Sequence, residues 1–450
     1  MPLTSDDKSF LKLIYNRLKP DEPLDPGDIR YEDVYDRPDC DDPTSEIFSK
    51  IELSNRESTL FFSGFSGSGK TTELRRLRKR LVDENYFVLY ADALDYINPA
   101  LPIQISDLLI VLAGAFSEAL EAQGIDIGRE SYWTRFCNYR INTNVELKEI
   151  SQKVDLDLVK VGLGLKLELR STPSFRERLA LALADRVGSL RDDVLAFFED
   201  GYKAIQREHD GKEVVFIFDS LEQIRASVST EQAVIQSVES LFSNHVRMLS
   251  IPWLHMVYTV PPWLKFVLKG VNMTVIPCIR TWNNDAHRDK CHDGIRVLRE
   301  FVHKRLGPGG AERLFGPDCQ EKLDQLIILS GGHFRDLLRL LRTLIEKTQS
   351  LPSDQRTLDR AILDVRSTFL PIAVDDAVWL DRFALERASP LTSDSPADIN
   401  RLTKFLDSRV VLFLRNGEEW YDIHPLLRDE VSRIVAAQRP PADQRPSTES

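Results

Sequence analysis

Paired cysteines, a long apolar run and an excess of basic residues are all missing from this 450-residue sequence, and each absence excludes a class of protein. The five cysteines, Cys40, Cys137, Cys278, Cys291 and Cys319, lie far apart with no CxxC pair. That spacing argues against a disulfide framework or a zinc ribbon and fits a reducing cytoplasm. His287, Cys291 and His292 offer three metal-ligating groups in a polar loop without a clear fourth, which is short of a metal centre. The longest aliphatic stretch, Leu108 to Phe116, is nine residues, against the roughly 20 that span a bilayer. No membrane partner is expected. The start, MPLTSDDKSF, has neither a basic region nor an apolar core and does not read as a signal peptide. A net charge of -11 argues against a surface that tracks nucleic acid throughout. What remains is a soluble, cytoplasmic, globular chain, 42% hydrophobic and long enough for about three domains.

Against these absences, one stretch is dense with chemistry. Ser63 to Thr72, SGFSGSGKTT, fills every fixed position of the GxxxxGK[ST] pattern, with Gly64, Gly69, Lys70 and Thr71. The apolar run Leu60, Phe61, Phe62 before it reads as a buried strand. A loop wrapped around a phosphate needs backbone amides turned inward and little side-chain bulk, which Gly64, Gly67 and Gly69 provide. Leu74, Leu77 and Leu81 then repeat at helical spacing, so a helix over Thr72 to Leu81 aims its positive N-terminus at the bound anion. The cradle is formed by Gly64, Phe65, Ser66, Gly67, Ser68, Gly69, Lys70, Thr71 and Thr72. Lys70 is expected on the β- and γ-phosphates, and Thr71 on a magnesium ion; the loop alone suits a kinase, a GTPase or a transporter motor, and ATP as the cofactor beside Mg2+ is what the resemblance below implies.

Before this loop, residues 5 to 18 pattern as an amphipathic helix capped by Ser5. A proline-rich acidic arm follows, too polar for core, and Ser45 to Leu53 forms a second helix. After the loop, Tyr86 to Ala91 is a strand ending at Asp92, and Ile105 to Leu120 a long apolar helix. Residues from about 100 to 210 form an insertion. Within it, apolar residues alternate from Val154 to Leu169, which predicts a hairpin packed on neighbouring helices, or alternatively a strand that pairs with a partner. Helical periodicity resumes from Phe175 to Arg207. The run Arg75, Arg76, Arg78, Lys79, Arg80 reads as a solvated helix face.

Val214 to Phe218 is a strand of large apolar residues tipped by Asp219, the expected magnesium partner. Ser220 follows it, and the next acid is Glu222. A fourth strand, Leu254 to Tyr258, ends at Thr259, and Met273 to Ile279 makes a fifth. Arg280 at its end reads as a surface arginine rather than a finger toward a neighbour's nucleotide. Gly294 to Lys347 is helical and contains the turn Ser330, Gly331, Gly332, His333, Phe334, Arg335. Residues 359 to 388 and Pro396 to Ser408 are helical. Val410 to Leu414 and Trp420 to Ile423 then flank Asn416 and Gly417, predicting a type I′ hairpin, and His424 to Ala436 closes with a helix. The end, RPPADQRPSTES, reads as disordered.

The P-loop and the acid-tipped strand, the Walker A and Walker B patterns, resemble those of AAA+ and STAND ATPases. The order Asp219, Ser220, Leu221, Glu222 resembles the NACHT subgroup, implying Glu222 as the group that orients water. Thr259 is similar to sensor 1, and Arg335 to sensor 2 of a helical lid. The proline that STAND proteins commonly place against adenine is replaced here by His333 and Phe334. The resemblance covers residues 45 to 437. It implies an α/β P-loop NTPase core with a five-stranded parallel sheet, an α-helical lid and a C-terminal winged-helix domain. The expected boundaries are 1–44 for the N-terminal helix and arm, 45–283 for the core, 284–352 for the lid, 353–437 for the winged helix and 438–450 for the tail. PGDIRYEDVY, GFSGSGKTTELRRL and VYTVPP together resemble a bacterial group of conflict-system ATPases. An antiphage or signalling switch acting with a separately encoded effector, or as a homo-oligomer, is the implied function. The alternative is a DNA-engaging ATPase of the origin-recognition or transposition type. Six basic and six acidic residues between 401 and 437 give that module no net charge for DNA.

Overall fold

The computed structural model describes residues 3–35, 42–125, 187–224, 231–268, 271, 273–285, 287–386 and 395–438. The hairpin expected over 154–169, the helical residues 175–186 and the tail beyond 438 lie outside the described residues. The chain opens with helix α1 (Ser5–Arg17). Its cap is Thr4, not Ser5: the Thr4 side chain accepts from the Asp7 amide while the Asp7 carboxylate accepts from the Thr4 amide, a closed capping box. By their contacts the residues fall into two units, Pro43–Gly64 with Glu73–Val275, and Met1–Asp42 with Phe65–Thr72 and Ile276–Ser450.

The sheet unit begins with helix α2 (Pro43–Glu52) and strand β1 (Ser58–Gly64). Helix α3 (Lys70–Asp83), strand β2 (Phe87–Asp92), and helices α4 (Ile105–Ala122) and α5 (Val187–Glu208) follow. Strand β3 (Val214–Asp219), helix α6 (Glu231–Ser243), strand β4 (Leu254–Val260) and strand β5 (Met273–Ile276) complete it. The sheet is α/β and five-stranded, in the order β2-β3-β4-β1-β5. β1 with β4, β4 with β3 and β3 with β2 all pair in parallel. Strands flanked by neighbours and covered on both faces need apolar residues at every position. Accordingly Val214 to Phe218 and Met256 to Tyr258 are fully buried. Phe116 of α4 meets Phe198 of α5 at 4.3 Å and Phe216 of β3 at 5.7 Å.

The basic run on α3 is solvated as expected at Arg78, Lys79 and Arg80, which are exposed, but two of its arginines also serve packing. Arg76 pairs with Glu73 at 3.0 Å and donates to Thr44, while Arg80 donates to Ser45 at 2.8 Å and lies 4.0 Å above the Phe48 ring. These arginines hold α2 against α3, a use that charge periodicity does not distinguish from solvation.

The second unit is mostly helical. It contains α1, then α7 (His292–Leu306), α8 (Gly310–Phe315), α9 (Cys319–Leu329), α10 (Phe334–Lys347), α11 (Gln355–Ser367), α12 (Val374–Glu386) and α13 (Pro396–Asp407). Strands β6 (Val411–Asn416) and β7 (Glu418–Ile423) pair antiparallel, and α14 (Arg428–Gln438) ends it. The hairpin turn is not type I′. Asn416 pairs with Glu418, and only Gly417 has a positive φ, so a single residue forms the tip where a type I′ turn needs two left-handed ones.

The arm after α1 is less polar in use than in composition. Leu24, Val34 and Tyr35 are buried, and Arg305 of α7 donates to the Arg30 carbonyl at 2.7 Å. β5 stops at Ile276 because the amides beyond it are taken elsewhere: Cys278 donates to Phe413 of β6 at 2.9 Å and Ile279 to Gly332 at 3.1 Å. Gly332 has φ +73°, and a Cβ there would collide with the Ile279 carbonyl, so this glycine is required by the crossing.

Candidate functional site

In the helical unit, the loop Phe65–Thr72 carries most of the predicted binding residues. Gly67 and Gly69 both have φ +89°, whereas Gly64 ends β1 without a left-handed φ. The Ser68 amide donates to the Phe65 carbonyl at 3.1 Å, closing the turn. Lys70 is buried and donates from Nζ to the same carbonyl at 3.0 Å, so its charge curls back over its own loop. Helix α3 begins at Lys70, two residues earlier than the apolar spacing predicts, so Lys70, Thr71 and Thr72 form its first turn, whose amides have no intrahelical partner. The Ser68 hydroxyl is buried with no hydrogen-bond partner among the described residues. Thr71 is half-buried, and the Thr72 hydroxyl accepts from the Leu24 amide of the arm at 3.1 Å.

Arg335 meets this loop. It stands on the first turn of α10, its amide donating to Gly67 at 3.3 Å and its guanidinium to the Ser66 hydroxyl at 2.6 Å. The guanidinium also pairs with Asp21 at 2.9 Å. The approach is close enough that a Cβ on Gly67 would overlap the Arg335 side chain. Beside it, Phe334 stacks on Phe301 at 5.0 Å, and His333 lies edge-on to Phe65 at 6.4 Å. Both rings that replace the expected proline are thus committed to packing.

His333 is buried, and its Nδ1 faces Asp336 at 2.8 Å. The Asp336 amide is 3.4 Å from the same nitrogen, so Nδ1 is best read as the donor to the carboxylate. Asp336 also pairs with Arg409 at 3.1 Å and Arg339 at 3.3 Å, and lies 3.6 Å from His424 Nε2. Burial alone would raise the Asp336 carboxyl; His333, His424 and Arg409 hold it well below the usual carboxylate range. Burial pushes both histidines down.

In the sheet unit, Asp219 stands at the tip of β3, opposite Asp92 of β2, with 1% of its surface exposed. Its Oδ1 accepts from the Ser220 amide at 2.7 Å, and its Oδ2 accepts from the Tyr90 hydroxyl at 2.5 Å. Burial, together with Asp219 and Asp92, pushes the Tyr90 hydroxyl far above its ordinary value, so it donates. Ser220 has φ +70°, and the turn Leu221–Gln223 follows with Glu222 half-buried upon it. Thr259, wholly buried near the end of β4, accepts from the Leu221 amide at 3.1 Å. β4 lies between β1 and β3. The chain passes from β1 to β2 on one side and from β4 to β5 on the other, so the direction reverses beside β1, where open α/β sheets place their ligand crevice.

Sequence reasoning missed Tyr90. The available signal was a hydroxyl near the tip of a strand two residues before an acid, but which strand lies beside β3 is a matter of topology. Arg280 is half-buried, its carbonyl lying where a Cβ on Gly294 would fall. Among the described residues no group of three or more His, Cys, Asp or Glu could hold an ion. Also among them, no helix is long and apolar enough to cross a membrane.

Neither a protein-family model nor a curated protein matches the sequence. Among solved structures, the chain is similar to Cdc6p from Pyrobaculum aerophilum, 11% identical with a TM-score of 0.37 over 94% of this chain and 98% of that one. It is similar to the ORC2 protein of Aeropyrum pernix, 11% identical with a TM-score of 0.39 over 91% and 97%. A Walker-type ATPase of Pyrococcus abyssi is 13% identical, with a TM-score of 0.39 over 90% and 96%. Likeness at this level decides nothing about substrate or partner, and the fold rests on the strand order and the P-loop geometry themselves.

Proposed function

We propose that this chain is a magnesium-dependent ATPase working as a nucleotide-driven switch of the STAND and AAA+ kind. The observation that carries this reading is the seating of Arg335 on the phosphate loop, where one residue contacts Ser66 through its guanidinium and Gly67 through its amide. An anion held by that loop competes for the same guanidinium, so α10 feels whether the loop is filled. The loop suits a polyphosphate: two left-handed glycines open it, a helix begins within it, and the Ser68 hydroxyl is buried without a partner among the described residues.

In this reading Lys70 leaves the Phe65 carbonyl for the β- and γ-phosphates, and Thr71 and Asp219 hold the metal. Magnesium, when bound, neutralises charge that develops on the transferred phosphoryl group. Glu222 orients the attacking water, Thr259 holds the turn that carries Glu222, and Arg335 senses the γ-phosphate. The helices after β5 act as lid, and residues 353–437 act as a winged-helix module that moves with it. We assign the switch to a bacterial defence or signalling system, acting through oligomerisation or a separately encoded effector.

Turnover of the purified protein beside Lys70→Ala and Glu222→Gln tests the site. Lys70→Ala should lose nucleotide binding, and Glu222→Gln should bind ATP but turn over about a hundredfold more slowly or worse, as befits loss of a general base. If both variants bind and hydrolyse like the parent, the assignment is wrong. Salt-dependent binding of duplex DNA would move the reading to the origin-recognition or transposition type.

A further inference from the structure

We infer that the cavity between the start of α12 and the end of α13 is a binding site for a small phosphate monoester carrying one ring. The cavity, about 260 Å3, is walled by Arg339 of α10, Phe369 and Ile372 between α11 and α12, Asp376 of α12, Lys404 of α13 and Arg409 just beyond it. All of these belong to the helical unit. The volume stands just below the roughly 300–1,000 Å3 usual for sites that hold organic ligands, which suits a one-ring molecule. None of its walls comes from the phosphate loop, so the inference holds or fails independently of the ATPase reading.

The charge around the cavity is unbalanced in one direction. Arg339 and Arg409 share a single carboxylate, the buried Asp336, at 3.3 and 3.1 Å. Lys404 shares Asp376 with Arg401, at 3.2 and 3.4 Å. Four cations thus meet two acids, and the excess of positive charge matches a phosphate monoester, which carries about −1.5 to −2 at neutral pH. Donors remain for it among the described residues. A guanidinium has more N–H groups than these arginines spend: Arg339 gives one to Asp336 and one to Thr368, and Arg409 gives two to Asp336. Their side chains are 30% and 13% exposed, against 59% for Lys404, so two planar forks suited to phosphate oxygens lie deep and the lysine stands at the mouth. Arg409 has φ +61° directly after the cap of α13, where glycine is usual. A long cation is therefore kept at a position that disfavours any side chain. Phe369 and Ile372, both half-buried, supply an apolar wall for the ring. An anion seated there draws on the guanidiniums that also hold Asp336, the residue after Arg335 on α10.

The experiment is calorimetric titration of phenyl phosphate into the full chain carrying Lys70→Ala, which takes the phosphate loop out of the measurement, beside inorganic phosphate and phenol. Phenyl phosphate should bind about tenfold more tightly than inorganic phosphate, the scale of burying one small apolar group, and phenol should not bind. Lys404→Glu, added to that chain, should weaken phenyl phosphate about tenfold, as replacing an attractive exposed charge by a repulsive one does. Ile372→Trp fills the cavity without changing its charge and should abolish binding. Inorganic phosphate binding as tightly as phenyl phosphate overturns the inference, and so does Ile372→Trp binding as before, or the absence of any binding to the Lys70→Ala chain. Should Ile372→Trp not fold, Lys404→Glu decides, because that side chain is exposed; undiminished binding there overturns the inference. A phosphotyrosine peptide that binds about tenfold more tightly than phenyl phosphate overturns the small-molecule assignment in favour of a phosphorylated protein partner.

Discussion

Gly67 is constrained from two directions at once. Its φ of +89° lies in the region open to glycine, and the space where a Cβ would stand is taken by Arg335. Read from the motif alone, Gly67 answers to a phosphate; the structure adds a side chain distant in sequence, that of Arg335, which needs the same vacancy. Gly67→Ala should therefore lower stability by about 1–3 kcal/mol, from left-handed backbone strain plus displacement of Arg335, measured by urea unfolding. Because the two causes are separable, the loss should shrink when Arg335→Ala is added. If the double variant loses the full sum, the overlap is not the cause. Gly69 has the same φ, but a Cβ there would lie 3.8 Å from the Phe334 ring, in ordinary contact, so only the backbone part should appear.

One turn of one helix, the start of α10, gathers buried charge. Asp336 is fully buried and engages Arg409, Arg339 and His333. Asp336→Ala leaves the two arginines facing an apolar gap, and should cost about 3–5 kcal/mol, as breaking a buried pair does. The pH dependence has a definite sign. His333 and His424 sit below their ordinary value because burial disfavours their charged form. The unfolded chain therefore takes up protons, at about pH 6.5, that the folded chain refuses. Their contribution is present above that pH and lost as pH falls below it; the contribution of Asp336, whose folded value is depressed, persists until the carboxylate range. The thermal midpoint should fall between pH 7.5 and about 5.5, and fall less in His424→Gln. A flat midpoint over that window would contradict neutral, buried imidazoles. None of this was legible in the stretch GGHFRD beyond the glycine turn and Arg335. The strands were legible because burial on both faces forces uniform runs such as VVFIF. Their ends were not: β5 terminates where Gly332 and Phe413, distant in sequence, take over its neighbouring chain's amides.

Over the whole molecule, the helical unit is assembled from stretches that no window of sequence joins. α1 is held by Arg313 of α8, which pairs with Asp6 and Asp7, and the arm by Lys304 of α7, which pairs with Glu32 at 2.8 Å. Asp422 of β7 is fully buried and accepts from Trp282 at 3.2 Å, Arg288 at 3.0 Å and Arg428 at 2.7 Å, tying the segment after β5 to the C-terminal hairpin. Composition showed only that this module carries no net charge; Asp422 and Arg409 spend theirs inward, on Arg428 and Asp336 respectively. Arg335 and Asp336 are adjacent on α10, one seated on the phosphate loop and the other joined to Arg409 and facing His424. A ligand shifts an equilibrium only through contacts that differ between states, and displacement of Arg335 from Ser66 is such a difference. Saturating ATP should then change amide hydrogen exchange in residues 409–424 of the parent. In Arg335→Ala, at ATP concentrations raised to restore occupancy, that change should disappear while protection of the loop itself remains. Equal changes in parent and variant would mean that nucleotide reaches the C-terminal module by a route that bypasses α10.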